Sequence, residues 1–183
     1  MAARIPPLEP PYDPDVGRTL ERMMPPGVDP LKLFRTVAHN PHVLERFRTT
    51  GAYILNFGLI PPLEREILIH RTCARCGCEY EWGVHAVVFA SAVGLSEEQL
   101  EATWNGAWDD AAWSEEQSLL VRLADELHDT GTVSPELWQR LEAGREPAAL
   151  IELIAICGFY HFVSFMANGT GVEHEEACRR APQ

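Results

Sequence analysis

The sequence predicts an all-α helical bundle, and three observations carry that expectation. Apolar residues recur at helical spacing from Leu31 onward. Ser-Glu-Glu-Gln occurs twice, at Ser96 and Ser114, in the pattern of a capping box. No run of alternating β-branched residues offers a strand.

Each element can be justified in turn. Residues 1–30 hold Pro6, Pro7, Pro10, Pro11, Pro14, Pro25, Pro26 and Pro30, which forbids a long helix. They predict an extended arm wrapped on a neighbour, with a short helix around Gly17–Met24. Helices follow over Leu31–His39 and Pro41–Asn56, the second started by its proline. Pro61 and Pro62 open the next, from Leu63 to about Thr72, and Gly77 interrupts. A single helix is expected over Cys78–Val93, ended by Gly94. The two capping boxes start helices to about Asn105 and about Asp129, Ser134-Pro-Glu starts one to about Ala143, and Pro147–Asn168 closes the series.

Bulk properties narrow the function. A chain of 183 residues suits one domain with a real core. Its formal net charge of -12 repels a nucleic-acid backbone, and no basic run interleaved with aromatics opposes that, so no nucleic-acid partner is expected. The opening residues lack the apolar stretch of a secretory signal. Ala148 to Ala167 is almost long enough to span a bilayer. Glu152 and His161 lie inside it, however, and no Lys or Arg cluster flanks it, so a buried core helix is expected rather than a membrane anchor. Five cysteines without a signal point to free thiols in a reducing cytoplasm.

Two helices carry chemistry. On a wheel of 100° per residue, Cys78, Glu81, Trp82, His85, Val88, Phe89 and Ala92 share one side, and the whole helix reads as buried. The preceding helix sets Glu66 and His70 among Leu63, Ile67 and Ala74. Each helix therefore places a Glu and a His four residues apart on an apolar side. Joined at Gly77, they can pool these groups in one pocket. A carboxyl desolvated by Trp82 and Phe89 has its pKa raised, whereas a nearby imidazole favours its ionised form, and such opposed pushes suit acid/base work. Cys78, in the first helical turn, is expected to have a lowered pKa.

Taken singly, each group has a plainer explanation. A Glu and a His at this spacing form structural ion pairs, Cys78 fills space as a small hydrophobe, Trp82 and Phe89 are core, and His70 packs. Only the convergence of the polar groups points to a site. Cys73-Ala-Arg-Cys76 with Cys78 and His85 offers four ligands of zinc type, but a structural zinc site pairs two such knuckles and there is no second, so no metal is expected. A redox dithiol of Cys73 with Cys76, or Cys76 with Cys78, is the thiol alternative.

The stretch Leu63-Glu-Arg-Glu-Ile-Leu-Ile-His-Arg, followed by Cys76-Gly-Cys-Glu-Tyr-Glu-Trp-Gly-Val-His85, closely resembles the core of the carboxymuconolactone decarboxylase/AhpD-like superfamily. Gly94-Leu-Ser-Glu-Glu-Gln-Leu and Gly158-Phe-Tyr-His-Phe with Asn168 also look like that family. The resemblance covers about Leu31 to Val172, which divides the chain into an arm (1–30), an AhpD-like domain (31–172) and a tail (173–183). In the peroxidase branch the pattern is a Glu, then C-x-x-C, then three residues and a His. Glu66, Cys78 and His85 match it, but Glu81 stands where the second cysteine belongs, and Cys73/Cys76 lie five residues out of register. A Glu four residues before the His resembles the decarboxylase branch instead, which works without a cofactor by proton transfer on a lactone acid.

The resemblance implies a cytoplasmic, cofactor-free enzyme acting on a small carbonyl or carboxylate compound by decarboxylation, isomerisation or lactone chemistry. His85 would be the acid/base, Glu66 and Glu81 would orient it or share its proton, and Cys78 would assist. His70, Trp82, Tyr160 and His161 would contact the substrate. Relatives form trimers or hexamers, so a homo-oligomer (dimer, trimer or hexamer) is expected, with the arm as an intersubunit clasp. The alternatives are a thiol-dependent peroxidase or reductase of the AhpD type and a non-catalytic ligand-binding oligomer.

Overall fold

A computed structural model describes residues 3–182, and among these all regular structure is helical. The described residues form nine α-helices: α1 Pro14–Glu21, α2 Lys32–Val37, α3 Pro41–Asn56, α4 Pro62–Arg75, α5 Glu79–His85, α6 Glu97–Asn105, α7 Glu115–Thr130, α8 Pro135–Glu142 and α9 Pro147–Thr170. They fall into two compact units, one of Met1–Gly58 with Phe165–Glu176, the other of Leu59–Ser164 with Ala177–Gln183.

In the first unit local capping sets the helix starts. The Asp13 carboxylate accepts from the backbone N–H groups of Asp15 and Val16, and Asn40 accepts from that of Val43, so α1 and α3 begin on satisfied donors with Pro14 and Pro41 just inside. Val16 and Leu20 of α1, Leu33 of α2, and Leu44, Phe47 and Ile54 of α3 are buried. Phe34 meets Phe47 edge to face at 5.8 Å. The proline-rich arm lies on its own chain along this stretch. Arg4 donates to the carbonyls of Thr170 (2.8 Å) and Gly169 (3.0 Å), the Leu8 N–H donates to the Arg35 carbonyl at 3.2 Å, and His39 pairs with the Pro6 carbonyl at 3.0 Å.

The second unit is organised around α4. Every residue from Arg65 to Cys73 is buried, so this helix is covered on all sides, with α5, α6 and α7 packed against it. Arg71 explains how a cation can sit there. Its guanidinium grips Asp125 of α7 through two bonds, 2.6 and 3.0 Å, and donates to the carbonyls of Thr103 and Gly106, so its charge and donors are matched. Both capping boxes form: Ser96 with Gln99 opens α6, and Ser114 with Gln117 opens α7.

Two features differ from the sequence expectation. The helix expected over Cys78–Val93 is α-helical only to His85; Ala86–Ala90 form a π-helical turn, and Val87 and Val88 are exposed. The turn adds a residue per revolution, so a constant 100° wheel fails beyond His85 and the apolar side rotates into solvent. In α9, long and apolar enough to cross a membrane by length and composition, Leu153, Ile156, Tyr160 and Val163 are buried while Ile151 and Ile154 are exposed. Its buried Glu152 accepts from the backbone N–H groups of Leu59 and Ile60, which accounts for a carboxylate in an apolar helix.

Candidate active site

The geometry of the site follows from how α4 ends and α5 begins. After Cys76, Gly77 takes a left-handed φ of +59°, open to glycine without strain, and the Cys78 N–H bonds back to the Cys73 carbonyl at 2.8 Å. The chain reverses there, and α5 lays its Glu81–His85 edge beside Glu66 of α4.

Glu66 is fully buried, and both of its carboxylate oxygens have partners. Oε2 accepts from His85 Nδ1 at 2.8 Å, and Oε1 accepts from Arg65 Nε at 3.2 Å. Burial pushes the carboxyl's pKa up, but the imidazole of His85, then His70 and Arg65, outweigh it and hold it below the usual value. His85 is the reciprocal case. Burial pushes its pKa down, yet Glu66 and then Glu81 raise it to about 9. The pair therefore rests as a carboxylate and an imidazolium in a dry interior.

The far nitrogen of His85 has its own partners. Nε2 lies 3.2 Å from the Tyr160 hydroxyl and 3.4 Å from Glu81 Oε1. Charged, it donates there; neutral, it accepts the Tyr160 O–H. Burial and the two glutamates keep the tyrosine well above its ordinary pKa, so it remains a neutral donor. The ring of Phe89, from the π-helical turn, covers the imidazole at 4.9 Å between centroids. Glu81 and Arg65 keep a few per cent of their surface in solvent.

His70 and Trp82 complete the interior. His70 Nδ1 donates to the Glu66 backbone carbonyl at 2.8 Å, which leaves Nε2 as a buried lone pair without a hydrogen-bond partner. Burial, and next His85, lower its pKa to about 4, so the ring is neutral. Trp82 meets His70 edge to face at 5.9 Å and anchors its own N–H on the Thr103 hydroxyl at 2.9 Å. Thus Glu66, His70, Glu81, Trp82, His85 and Tyr160 come together.

Two sequence-derived candidates behave otherwise. Cys78 is the N-cap of α5 rather than part of its first turn, and its thiol is wholly buried. Burial, reinforced by Glu81, pushes its pKa up to about 12 despite the Glu81 N–H, so the expected dipole-lowered thiolate is corrected to a neutral thiol. His161 points away from Tyr160 by one helical step and pairs with His128 at 3.0 Å. Nor do Cys73, Cys76, Cys78 and His85 form a metal-ligand set among the described residues; Cys76 sits by His128 and His161. Arg65 and the π-helical turn escape the sequence. An arginine beside a glutamate reads as a solvated neighbour a third of a turn away, and nothing in Ala86-Val-Val-Phe-Ala announces a change of helical pitch.

A family model described as the carboxymuconolactone decarboxylase family matches residues 41–126. Among solved structures, an uncharacterized peroxidase-related protein from Silicibacter sp. TM1040 has a TM-score of 0.77 at 16% identity, over 94% of this chain and 93% of its own. One described as an alkylhydroperoxidase AhpD core, an uncharacterized peroxidase-related protein from Ralstonia eutropha JMP134, reaches 0.79 at 18% identity, over 96% and 95%. A cysteine-to-alanine variant of the debrominase Bmp8, in complex with 2,3,4-tribromopyrrole, also reaches 0.79, at 17% identity over 97% and 94%. The search of curated proteins finds no match.

Proposed function

We propose, from the carboxymuconolactone decarboxylase family match over residues 41–126 and a fold shared with AhpD-like structures, that the chain is a cofactor-free acid/base enzyme acting on a small carbonyl or carboxylate compound. The observation that carries this reading is a single imidazole held between two carboxylates. Glu66 fixes Nδ1 of His85 at 2.8 Å, and Glu81 and Tyr160 flank Nε2. With its pKa near 9, His85 enters the cycle protonated and acts first as a general acid. It delivers the Nε2 proton to the carbon or oxygen that gains electron density as a bond α to a carbonyl breaks. Glu66 keeps the tautomer and ring fixed throughout. Glu81 then returns a proton to Nε2 from the solvent side. The bare Nε2 of His70 accepts a hydrogen bond from a substrate hydroxyl or acid group, and Trp82 excludes water. Decarboxylation, isomerisation and lactone chemistry all use such a step. His161 drops out of the substrate contacts.

The peroxidase-related and debrominase neighbours raise the thiol alternative. Against it stand the full burial of Cys73 and Cys78 and their upward-shifted pKa values, which oppose the thiolate that such chemistry requires.

The test is to incubate the protein in D2O with a panel of 2-oxo acids, 3-oxo acids and unsaturated lactone acids. Carbon dioxide release and deuterium incorporation are then followed. Turnover that His85→Gln and Glu66→Gln abolish and Cys78→Ser preserves supports the reading. Turnover indifferent to His85 overturns it.

A further inference from the structure

We propose that Cys76, His128 and His161 form a binding site for a divalent zinc-class cation, with solvent at the fourth position. The site shares no residue with the Glu66–His85 pair. Its three donors come from three elements: Cys76 caps the C-terminus of α4, His128 lies in the last turn of α7, and His161 lies within α9. Their ligand atoms all fall within 4.8 Å of one another. His128 Nδ1 is 3.0 Å from His161 Nε2 and 3.9 Å from the Cys76 sulfur. Tetrahedral zinc with its ordinary Zn–N and Zn–S lengths places such donors roughly 3.3–3.6 Å apart, so the two imidazoles would open and the thiol would close on His128, each by a few tenths of an ångström.

The ring of His161 is already set for this task. Its Nδ1–H donates to the Cys157 carbonyl at 2.8 Å, so the lone pair lies on Nε2, the nitrogen that faces His128. A second hydrogen bond that fixes the tautomer is the usual support of a metal-binding histidine. The two imidazoles stack at 5.2 Å between centroids, with planes 27° apart. All three donors are half-buried, so an ion can enter. Arg75, whose charge acts on both Cys76 and His128, is paired with Asp125 and Asp129, which offset it. One thiolate and two imidazoles are borderline-soft donors, which select zinc or cobalt(II) over magnesium and calcium.

Cobalt(II) chloride, added to metal-stripped protein, is the direct probe. One equivalent should produce visible bands of tetrahedral cobalt and a thiolate-to-cobalt band in the near ultraviolet, and zinc chloride should displace both. Cys76→Ser should remove the ultraviolet band, and His161→Gln should weaken binding by at least about tenfold. Cys178→Ser should retain both. In the unaltered protein, zinc should slow alkylation of Cys76 by iodoacetamide, read by mass spectrometry. A thiolate band that survives Cys76→Ser, or alkylation unchanged by zinc, overturns the proposal.

Discussion

His85 Nδ1 lies 2.8 Å from Glu66 Oε2, with both side chains sealed from solvent on neighbouring helices. Deleting one partner strands the other charge in a dry interior. Glu66→Ala or His85→Ala is therefore expected to cost about 3–5 kcal/mol in urea unfolding, whereas replacing both together by apolar residues of similar volume should recover most of that loss. A non-catalytic ligand-binding oligomer shares this stability result, but only an enzyme also loses turnover.

Stability should peak near pH 6.5. The folded pKa of His85, about 9, exceeds its ordinary 6.5, so its contribution is complete below about 6.5 and lost as the pH rises through 9. His70 has the opposite sign: its folded value of about 4 makes its contribution complete above 6.5 and lost as the pH falls towards 4. Glu66, held below its ordinary value, adds to the acid-side loss. Denaturant midpoints measured across this range should fall on both sides, and His70→Phe should flatten the acid limb.

Thiol reactivity should divide the cysteines. Cys76 and Cys178 are partly exposed, whereas Cys73, Cys78 and Cys157 are buried; burial raises the pKa of Cys76 as well as those of the three buried thiols, so access rather than acidity separates the two groups. In the native protein an aromatic disulfide reagent should modify Cys76 and Cys178 fast and the other three only on unfolding. Rapid modification of Cys78 would revive the thiol reading.

The helices were largely legible because their ends are written locally. Pro41, Ser96, Ser114 and Ser134-Pro135 mark helix starts, and those starts hold in the structure. The site was legible as far as constant periodicity holds, which is why Glu66, His70, Glu81 and His85 converge. Beyond His85 the pitch changes and Val88 leaves the apolar side. Cys78 shows a second limit: sequence position gives nearness to a helix start, but burial decides the sign of the pKa shift. The partnership of Cys76 with His128 and His161 spans 85 positions of the sequence, counted from 76 to 161, so no local spacing could reveal it.

Gly83 has structural value that its position in α5 hides. A Cβ there would strike the Arg179 carbonyl and the Cys178 sulfur of the segment laid across this helix. Gly83→Ala should displace residues 177–182 and release the Arg179 guanidinium from Trp82, over which it sits at 5.8 Å. Increased iodide quenching of tryptophan fluorescence, with unchanged helical circular dichroism, would report it.

The most direct measurement is a nitrogen-15 NMR titration of the His85 ring in the unaltered protein and in Glu66→Gln. A pKa near 9 that falls towards or below 6.5 in the variant is the predicted result. Titration near 6.5 in both would contradict the account, because the imidazole would then not be holding its proton through Glu66.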